Sequence, residues 1–131
     1  MKISLILKII GLLHILAGVF LFGFILMPDE ISSQMIGAQL LEIMPWFKTP
    51  VTVVSAMNLG VGILLILSSA LKDFRSMKLI LLGEVYLMCC IFLGAIFNYF
   101  SSFTAIGPPV IIIAMILINL AFTLYGYYYG R

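Results

Sequence analysis

The sequence predicts an all-α polytopic membrane protein: a four-transmembrane-helix bundle with a short amphipathic outer helix, in which residues 1–131 form a single membrane domain. Hydrophobic residues make up 64% of the chain and charged residues 9%, whereas soluble domains have about 45–50% and about 25%. Apolar runs of about 20 residues, the helical length that crosses a hydrocarbon core, occur four times. The lipid bilayer is therefore the expected environment of this chain.

The charge content excludes several functional classes. Seven basic and five acidic side chains are too few to cover the surface of a water-soluble fold of this size. We therefore exclude a soluble enzyme, a nucleic-acid-binding protein and a disordered segment, and we expect no nucleic-acid partner.

The four predicted spans are bounded by charged residues and helix breakers. They cover residues 3–27, 50–71, 79–97 and 109–128. The first span continues to Met27 without the small-residue cleavage pattern that ends a secretory signal, so we expect it to be retained. Before the second span, Thr49 is placed to cap the helix and Pro50 to occupy its first position.

Lysine and arginine are distributed unevenly between the two sides of the predicted bundle. Six of the seven belong to the N-terminal segment, the middle loop and the C-terminus: Lys2, Lys8, Lys72, Arg75, Lys78 and Arg131. Only Lys48 lies on the opposite side. By the positive-inside rule, this asymmetry predicts a multi-pass protein of the cell inner (cytoplasmic) membrane with both termini cytoplasmic and with loops 29–48 and 98–108 outside.

Residues 29–44 form an outer segment in which apolar and polar residues alternate at helical spacing. The apolar set is Ile31, Met35, Ala38 and Leu41, and the polar set is Ser32, Ser33, Gln34, Gln39 and Glu42. The pattern predicts a short amphipathic helix on the outer surface. It either lies passively among lipid headgroups or serves as a lid or partner-docking helix.

Each predicted span carries one stripe of small and polar residues at spacings of three and four. The stripes are Gly11, His14 and Gly18; Ser55, Asn58, Gly62, Leu65 and Ser69; Glu84, Met88, Ile91, Ala95 and Asn98; and Met115 or Ile116, Asn119, Thr123, Gly126 and Gly130. Because close packing between membrane helices relies on small and polar residues, we expect these stripes to face inward. The remaining apolar residues then face lipid or another subunit.

Two ionisable side chains lie inside the predicted spans, where their cost makes a functional role the default hypothesis. His14 follows Lys8 by six residues, and Glu84 follows Lys78 by six. Both therefore lie ~9 Å beyond their lysine and at matching depth. We expect a polar pocket centred on this pair that opens, if at all, toward the cytoplasm; the alternative is a pair that only holds two helices in register.

Three further polar residues complete the candidate ligand or proton site. Ser69 is expected on the cytoplasmic side, whereas Asn58 and Asn119 are expected nearer the midplane or the outer half. For each asparagine, interhelical hydrogen bonding is the alternative to ligand contact.

The sequence contains no recognisable catalytic or metal-binding motif. It lacks a phosphate-cradling glycine loop, zinc-ligand spacing and a serine nucleophile motif, and its single histidine excludes a multi-histidine metal or haem site. Cys89 and Cys90 are adjacent inside the third span, where we expect protonated, unreactive thiols. We therefore expect no enzyme, no catalytic residue, no metal and no cofactor.

Early in the second span lies the small-residue sequence Asn58-Leu59-Gly60-Val61-Gly62. With four spans, short cytoplasmic ends and a longer first outer loop, this motif resembles the DoxX-like group of small four-span bacterial membrane proteins. The resemblance implies that some members are small subunits of membrane redox assemblies or partners of quinone-linked enzymes.

Two classes of function fit these features. The first is an accessory or structural subunit of a homo- or hetero-oligomeric membrane assembly, since the chain offers a wide apolar surface and no catalytic groups. The alternative is a proton-coupled small transporter or a lipophilic-ligand (quinone or lipid) binding protein that uses the His14 and Glu84 pair. We expect the protein to form a homo-oligomer or to join a larger membrane complex.

Overall fold

A computed structural model describes residues 2–36, 41–42, 44–100 and 110–130, and this described part is helical without strands. Within this described part, five α-helices follow one another: α1 (Ile3–Leu26), α2 (Asp29–Ile36), α3 (Met44–Ser68), α4 (Phe74–Phe100) and α5 (Val110–Tyr129). The predicted all-α class is therefore confirmed.

Three stretches of the described residues are long and apolar enough to cross a membrane: Ile3–Leu26, Lys48–Ser68 and Phe74–Gly94. They indicate a membrane protein, as predicted. The described apolar part of α5, Ile113–Tyr129, is shorter. The fourth span at 109–128 stays a prediction.

Helix α3 begins at Met44 and not at Pro50, so the predicted cap at Thr49 was wrong. Pro45 is the second residue of α3, where a backbone N–H has no helical acceptor and its loss is tolerated. Pro50 lies inside the helix, where it has no N–H to donate one turn back. Two residues later the Thr52 hydroxyl donates to the Lys48 carbonyl oxygen at 2.9 Å.

Helix α2 covers the first half of the predicted outer segment 29–44. Residues 37–40 and 43 of that segment lie outside the described residues. Ser32 and Ser33 are buried, whereas Ile31 and Met35 are about half exposed. The Ser32 hydroxyl lies 3.1 Å from the Pro28 carbonyl oxygen and 3.4 Å from that of Phe24. The polar face of α2 therefore packs on the end of α1, and its apolar face points outward.

Lys48 connects the start of α3 to the corner between α1 and α2. Its ammonium lies 2.7 Å from the Asp29 carboxylate and also donates to the Met27 carbonyl oxygen. Because the Asp29 side chain is 40% exposed, this ion pair positions the corner but adds little stability.

Helices α1 and α3 approach so closely that their glycines face the opposing backbone. A Cβ atom built at Gly11 would lie 2.7 Å from the Gly62 carbonyl oxygen, and one built at Gly62 would lie 2.6 Å from that of Gly11. Two turns further along, the Ser55 hydroxyl donates to the Gly18 carbonyl oxygen at 2.7 Å. Small residues therefore permit this contact and a hydrogen bond reinforces it.

The apolar core occupies the end of the bundle where α1 begins. Its fully buried members are Ile3, Ile6, Leu7, Ile10, Leu65 and Leu81. Gly126 of α5 and Gly130, directly after its end, accommodate the side chains of Ile6 and Ile3. This layer joins α1, α3, α4 and α5 at the end of the bundle where α1 begins.

The inward orientation of the predicted stripes is confirmed at most positions. The buried members are Gly11, His14, Gly18, Ser55, Gly62, Leu65, Ser69, Glu84, Met88, Ile116, Asn119, Thr123, Gly126 and Gly130. Ile91 was wrongly placed, because it is 41% exposed while Phe92, four residues after Met88, is half-buried. The side chains of Ala95 and Asn98 lie outside the described residues.

Asp73 caps the start of α4 from outside the membrane-spanning segment. Its carboxylate accepts hydrogen bonds from the backbone N–H of Arg75 at 3.2 Å and of Ser76 at 2.9 Å, and from the Ser76 hydroxyl. These donors, the Ser76 hydroxyl first, lower the pKa of Asp73 below its ordinary value of 3.8. The cap satisfies N–H groups that have no helical acceptor.

We expect Asp73→Ala to destabilise the protein in a pH-dependent manner. Since the pKa is lowered by folding, the ionised cap stabilises the protein above pH 3.8, and this contribution is lost as the pH falls through the lowered pKa. Unfolding curves of both proteins in detergent should therefore converge as the pH drops below that value. A difference that stays constant down to acidic pH would contradict this role of the carboxylate.

Adding a methyl group between α1 and α3 should be far more disruptive than adding one on the outside. Gly62→Ala places its Cβ against the Gly11 backbone, so we expect destabilisation by about 1–3 kcal/mol. Gly60→Ala is the matched control, since a Cβ at Gly60 has nothing within 4 Å. Thermal unfolding in detergent measures both, and equal effects would contradict the close contact.

Candidate functional site

Four polar side chains, one from each of the four long helices, meet at one level of the bundle. His14 of α1 lies with its Nε2 atom 2.7 Å from Glu84 Oε1 of α4 and with its Nδ1 atom 2.9 Å from Asn58 Oδ1 of α3. Asn119 of α5 brings its Nδ2 atom within 2.9 Å of His14 Nε2. We call these four residues the polar cluster.

The polar cluster is enclosed within the protein. His14 and Glu84 are each 4% exposed and Asn119 is 5% exposed, while Asn58 is half-buried. On the side of the N-terminus, Ile10 and Leu81 are fully buried beside it. This apolar layer lies on the side toward which the pocket, if open at all, is predicted to open.

The amide of Asn58 determines which nitrogen of His14 carries a proton. Asn58 Nδ2 donates to the Val54 carbonyl oxygen at 2.9 Å, so its Oδ1 atom is the one that faces the imidazole. An amide oxygen only accepts hydrogen bonds. His14 Nδ1 must therefore be the protonated donor in this contact.

A single proton then lies between His14 Nε2 and Glu84 Oε1. With Nδ1 protonated, Nε2 either accepts from a neutral Glu84 carboxyl group or donates, as an imidazolium, to the carboxylate. Both arrangements fit the 2.7 Å separation, but Asn119 Nδ2, which only donates, lies 2.9 Å from Nε2, so the arrangement in which Nε2 accepts is favoured. Either arrangement leaves the pair without net charge. Such neutrality is what makes an ionisable pair tolerable inside a membrane.

Asn119 extends the polar cluster to Met88 on α4. Its Nδ2 atom lies 3.3 Å from Glu84 Oε1 and 3.4 Å from the Met88 sulfur. The Thr123 hydroxyl donates to the Asn119 backbone carbonyl oxygen at 2.8 Å, one turn along α5. Met88 was recognised in the sequence as part of a stripe but not as a contact of the site, since methionine ordinarily acts as a packing residue.

Ser69 is the one predicted site residue that the structure places elsewhere. Its hydroxyl donates to the Ile66 carbonyl oxygen at 2.5 Å, which satisfies it within its own helix turn. Ser69 also follows Asn58 by eleven residues, or ~16 Å along a helix. Asn58 and Asn119, by contrast, lie at the level of His14 rather than further out as predicted.

The described residues contain no group of three or more His, Cys, Asp or Glu side chains that could hold a metal ion. Cys89 and Cys90 are free thiols exposed on the outside of α4. The chemistry available within the polar cluster is therefore proton exchange and hydrogen bonding by the imidazole, the carboxyl group and the two amides.

Comparison with known proteins gives no match to a protein-family model, to a curated protein or to a solved structure. The resemblance to the DoxX-like group therefore stays a prediction.

Removing the Glu84 side chain should destabilise the protein much more than neutralising it. Glu84→Ala leaves the Nε2 atom of His14 without its partner, and loss of one member of a buried pair costs about 3–5 kcal/mol. Glu84→Gln keeps a hydrogen-bonding partner at this position, so we expect a loss of about 1 kcal/mol. Unfolding in detergent compares the two variants, and an equal loss would contradict a hydrogen-bonded role for Glu84.

Proposed function

We propose that this protein is a four-span integral membrane protein that acts as an accessory or structural subunit of a homo- or hetero-oligomeric membrane assembly. It lies in the cell inner (cytoplasmic) membrane with both termini cytoplasmic. The positions of its lysines and arginines support this orientation. Small residues exposed on the outer surface of α4 support the subunit role.

The length and the position of α5 support the fourth span. Val110–Tyr129 comprises 20 residues, which is ~30 Å of helix and matches the hydrocarbon core. Its Asn119 lies near the middle of the helix and contacts His14 and Glu84, which belong to two of the apolar helices. This length and these contacts support α5 as the fourth span.

The observation that carries the subunit role is the outward face of α4, formed by Gly83, Tyr86, Cys90 and Gly94. All four residues are exposed and follow one another at spacings of three and four. A Cβ atom at Gly83 or Gly94 would meet nothing within 4 Å. Cys90 and Gly94 are small and lie four residues apart, a spacing typical of helix–helix contacts in membranes, and here they lie on the side that faces away from the bundle.

Tyr86 supports the same interpretation. Its side chain is 65% exposed although it lies near the middle of an apolar stretch, two residues after Glu84. A phenol hydroxyl in hydrocarbon is costly without a hydrogen-bond partner, and a neighbouring subunit would supply one. The outward face of α4 is thus better suited to protein than to lipid.

A second candidate function is favoured by the proton shared within the polar cluster. A proton-coupled small transporter, or a lipophilic-ligand (quinone or lipid) binding protein, would use Glu84 as the group that exchanges a proton and His14 as its partner. A four-helix bundle alone has little room for a substrate route, so this function also requires at least a dimer.

Native mass spectrometry of the protein, purified under mild conditions from its own cells, tests the subunit role. We expect a homo-oligomer or an assembly with other membrane proteins. Gly83→Leu should weaken that assembly by obstructing the outward face of α4. Gly60→Leu is the matched control, because Gly60 is also exposed in open space but lies on α3.

A monomer in lipid nanodiscs as well as in detergent would contradict the subunit role. Equal behaviour of the two leucine variants would contradict the assignment to the outward face of α4. Glu84→Gln separates the two candidate functions: a subunit loses stability or partners in this variant, whereas a proton-coupled transporter loses coupled transport at normal expression.

A further inference from the structure

Asn119 Oδ1 is a buried polar atom without a partner. Among the described residues it is the one buried side-chain nitrogen or oxygen that makes no hydrogen bond, and its residue is 5% exposed. An unpaired carbonyl oxygen in such a position costs free energy that a donor would recover.

The surroundings of the Asn119 amide determine that this free atom is the oxygen. The Nδ2 atom faces His14 Nε2, Glu84 Oε1 and the Met88 sulfur, and all three accept hydrogen bonds when the shared proton is on Glu84. Rotating the amide by half a turn would place its oxygen against these acceptors instead. The present orientation is therefore favoured, and the unpartnered group is an acceptor.

The charge of the polar cluster defines which donors suit this acceptor. His14 and Glu84 share one proton and carry no net charge in either arrangement. Buried apolar residues flank the cluster: Ile10 and Leu81 toward the N-terminus, and Ile116 one turn from Asn119. A cationic or anionic ligand would place an uncompensated charge among them, which is costly. The ligand must therefore be neutral.

We propose that Asn119 Oδ1 is the acceptor of an internal site for a neutral hydroxyl donor, placed beside the proton that His14 and Glu84 share. A hydroxyl group needs few further partners, whereas an amide would bring a carbonyl group that itself needs a donor. Water and the hydroxyl group of a membrane-dissolved alcohol or phenol share this chemistry. The site deepens the second candidate function and rests on the polar cluster that this function uses.

Infrared spectroscopy of protein with ¹³C-labelled asparagine side chains tests the site. The chain contains three asparagines, Asn58, Asn98 and Asn119, so few labelled carbonyl bands arise. Asn119→Leu, of similar volume, identifies the band of Asn119 by its loss. Should that variant fail to fold, Asn58→Gln and Asn98→Gln remove the other two bands and identify it by exclusion.

Spectra are recorded on the full-length protein as purified, after delipidation, and after addition of phenol or of anisole. We expect the Asn119 carbonyl band at the lowered frequency of a hydrogen-bonded amide. If it stays there after delipidation, the donor is water. If it moves to the free frequency and is restored by phenol but not by anisole, which lacks the hydroxyl, the donor is a membrane-dissolved hydroxyl compound.

A free carbonyl frequency under all conditions, including excess phenol, would overturn the proposal. Recovery with both probes or with neither, after loss on delipidation, would equally overturn it, because the donor would then not be a hydroxyl group. The readout reports on one side chain and requires neither transport nor oligomerisation. Failure of either proposed function would therefore be distinguishable from failure of this site.

Discussion

The hydrogen bonds around His14 are the interaction on which the arrangement of the long helices depends. Lipid offers no partner to a polar side chain, so each such group must find its partner within the protein. The imidazole has two nitrogens, and one contacts Asn58 of α3 while the other contacts Glu84 of α4 and Asn119 of α5. One side chain of α1 thereby joins all three other long helices at a single depth.

Apolar packing stabilises one end of the bundle, and a close helix contact with a hydrogen bond stabilises the other. Where α1 begins, fully buried side chains such as Ile6 and Leu81 form an apolar layer that also receives α5. Toward the other end, close approach at Gly18 and the Ser55 hydroxyl hold α1 to α3. The polar cluster lies between these regions, so the apolar layer separates its proton from the end of the bundle where α1 begins.

The sequence predicted the members of the cluster better than their surroundings. His14 and Glu84 could be paired because equal distances from two lysines imply equal depth, and helical spacing placed Asn119 on the inward face of its helix. Ser69 could not be excluded, because a serine that bonds to its own helix leaves the same pattern as one that faces a ligand. The apolar layer on one side of the cluster could not be predicted either, since a segment that is apolar at nearly every position shows no inward face.

The most direct test of this account is nitrogen NMR of the ¹⁵N-labelled imidazole, because the chain contains a single histidine. We expect His14 Nδ1 to be protonated in the folded protein at neutral pH and to couple across its hydrogen bond to Asn58. We also expect the chemical shift of Nε2 to lie between those of a free acceptor and a protonated donor, as for a proton shared with Glu84. An unprotonated Nδ1 would contradict the account, since the contact with Asn58 would then lack a donor and the proton could not lie where the polar cluster places it.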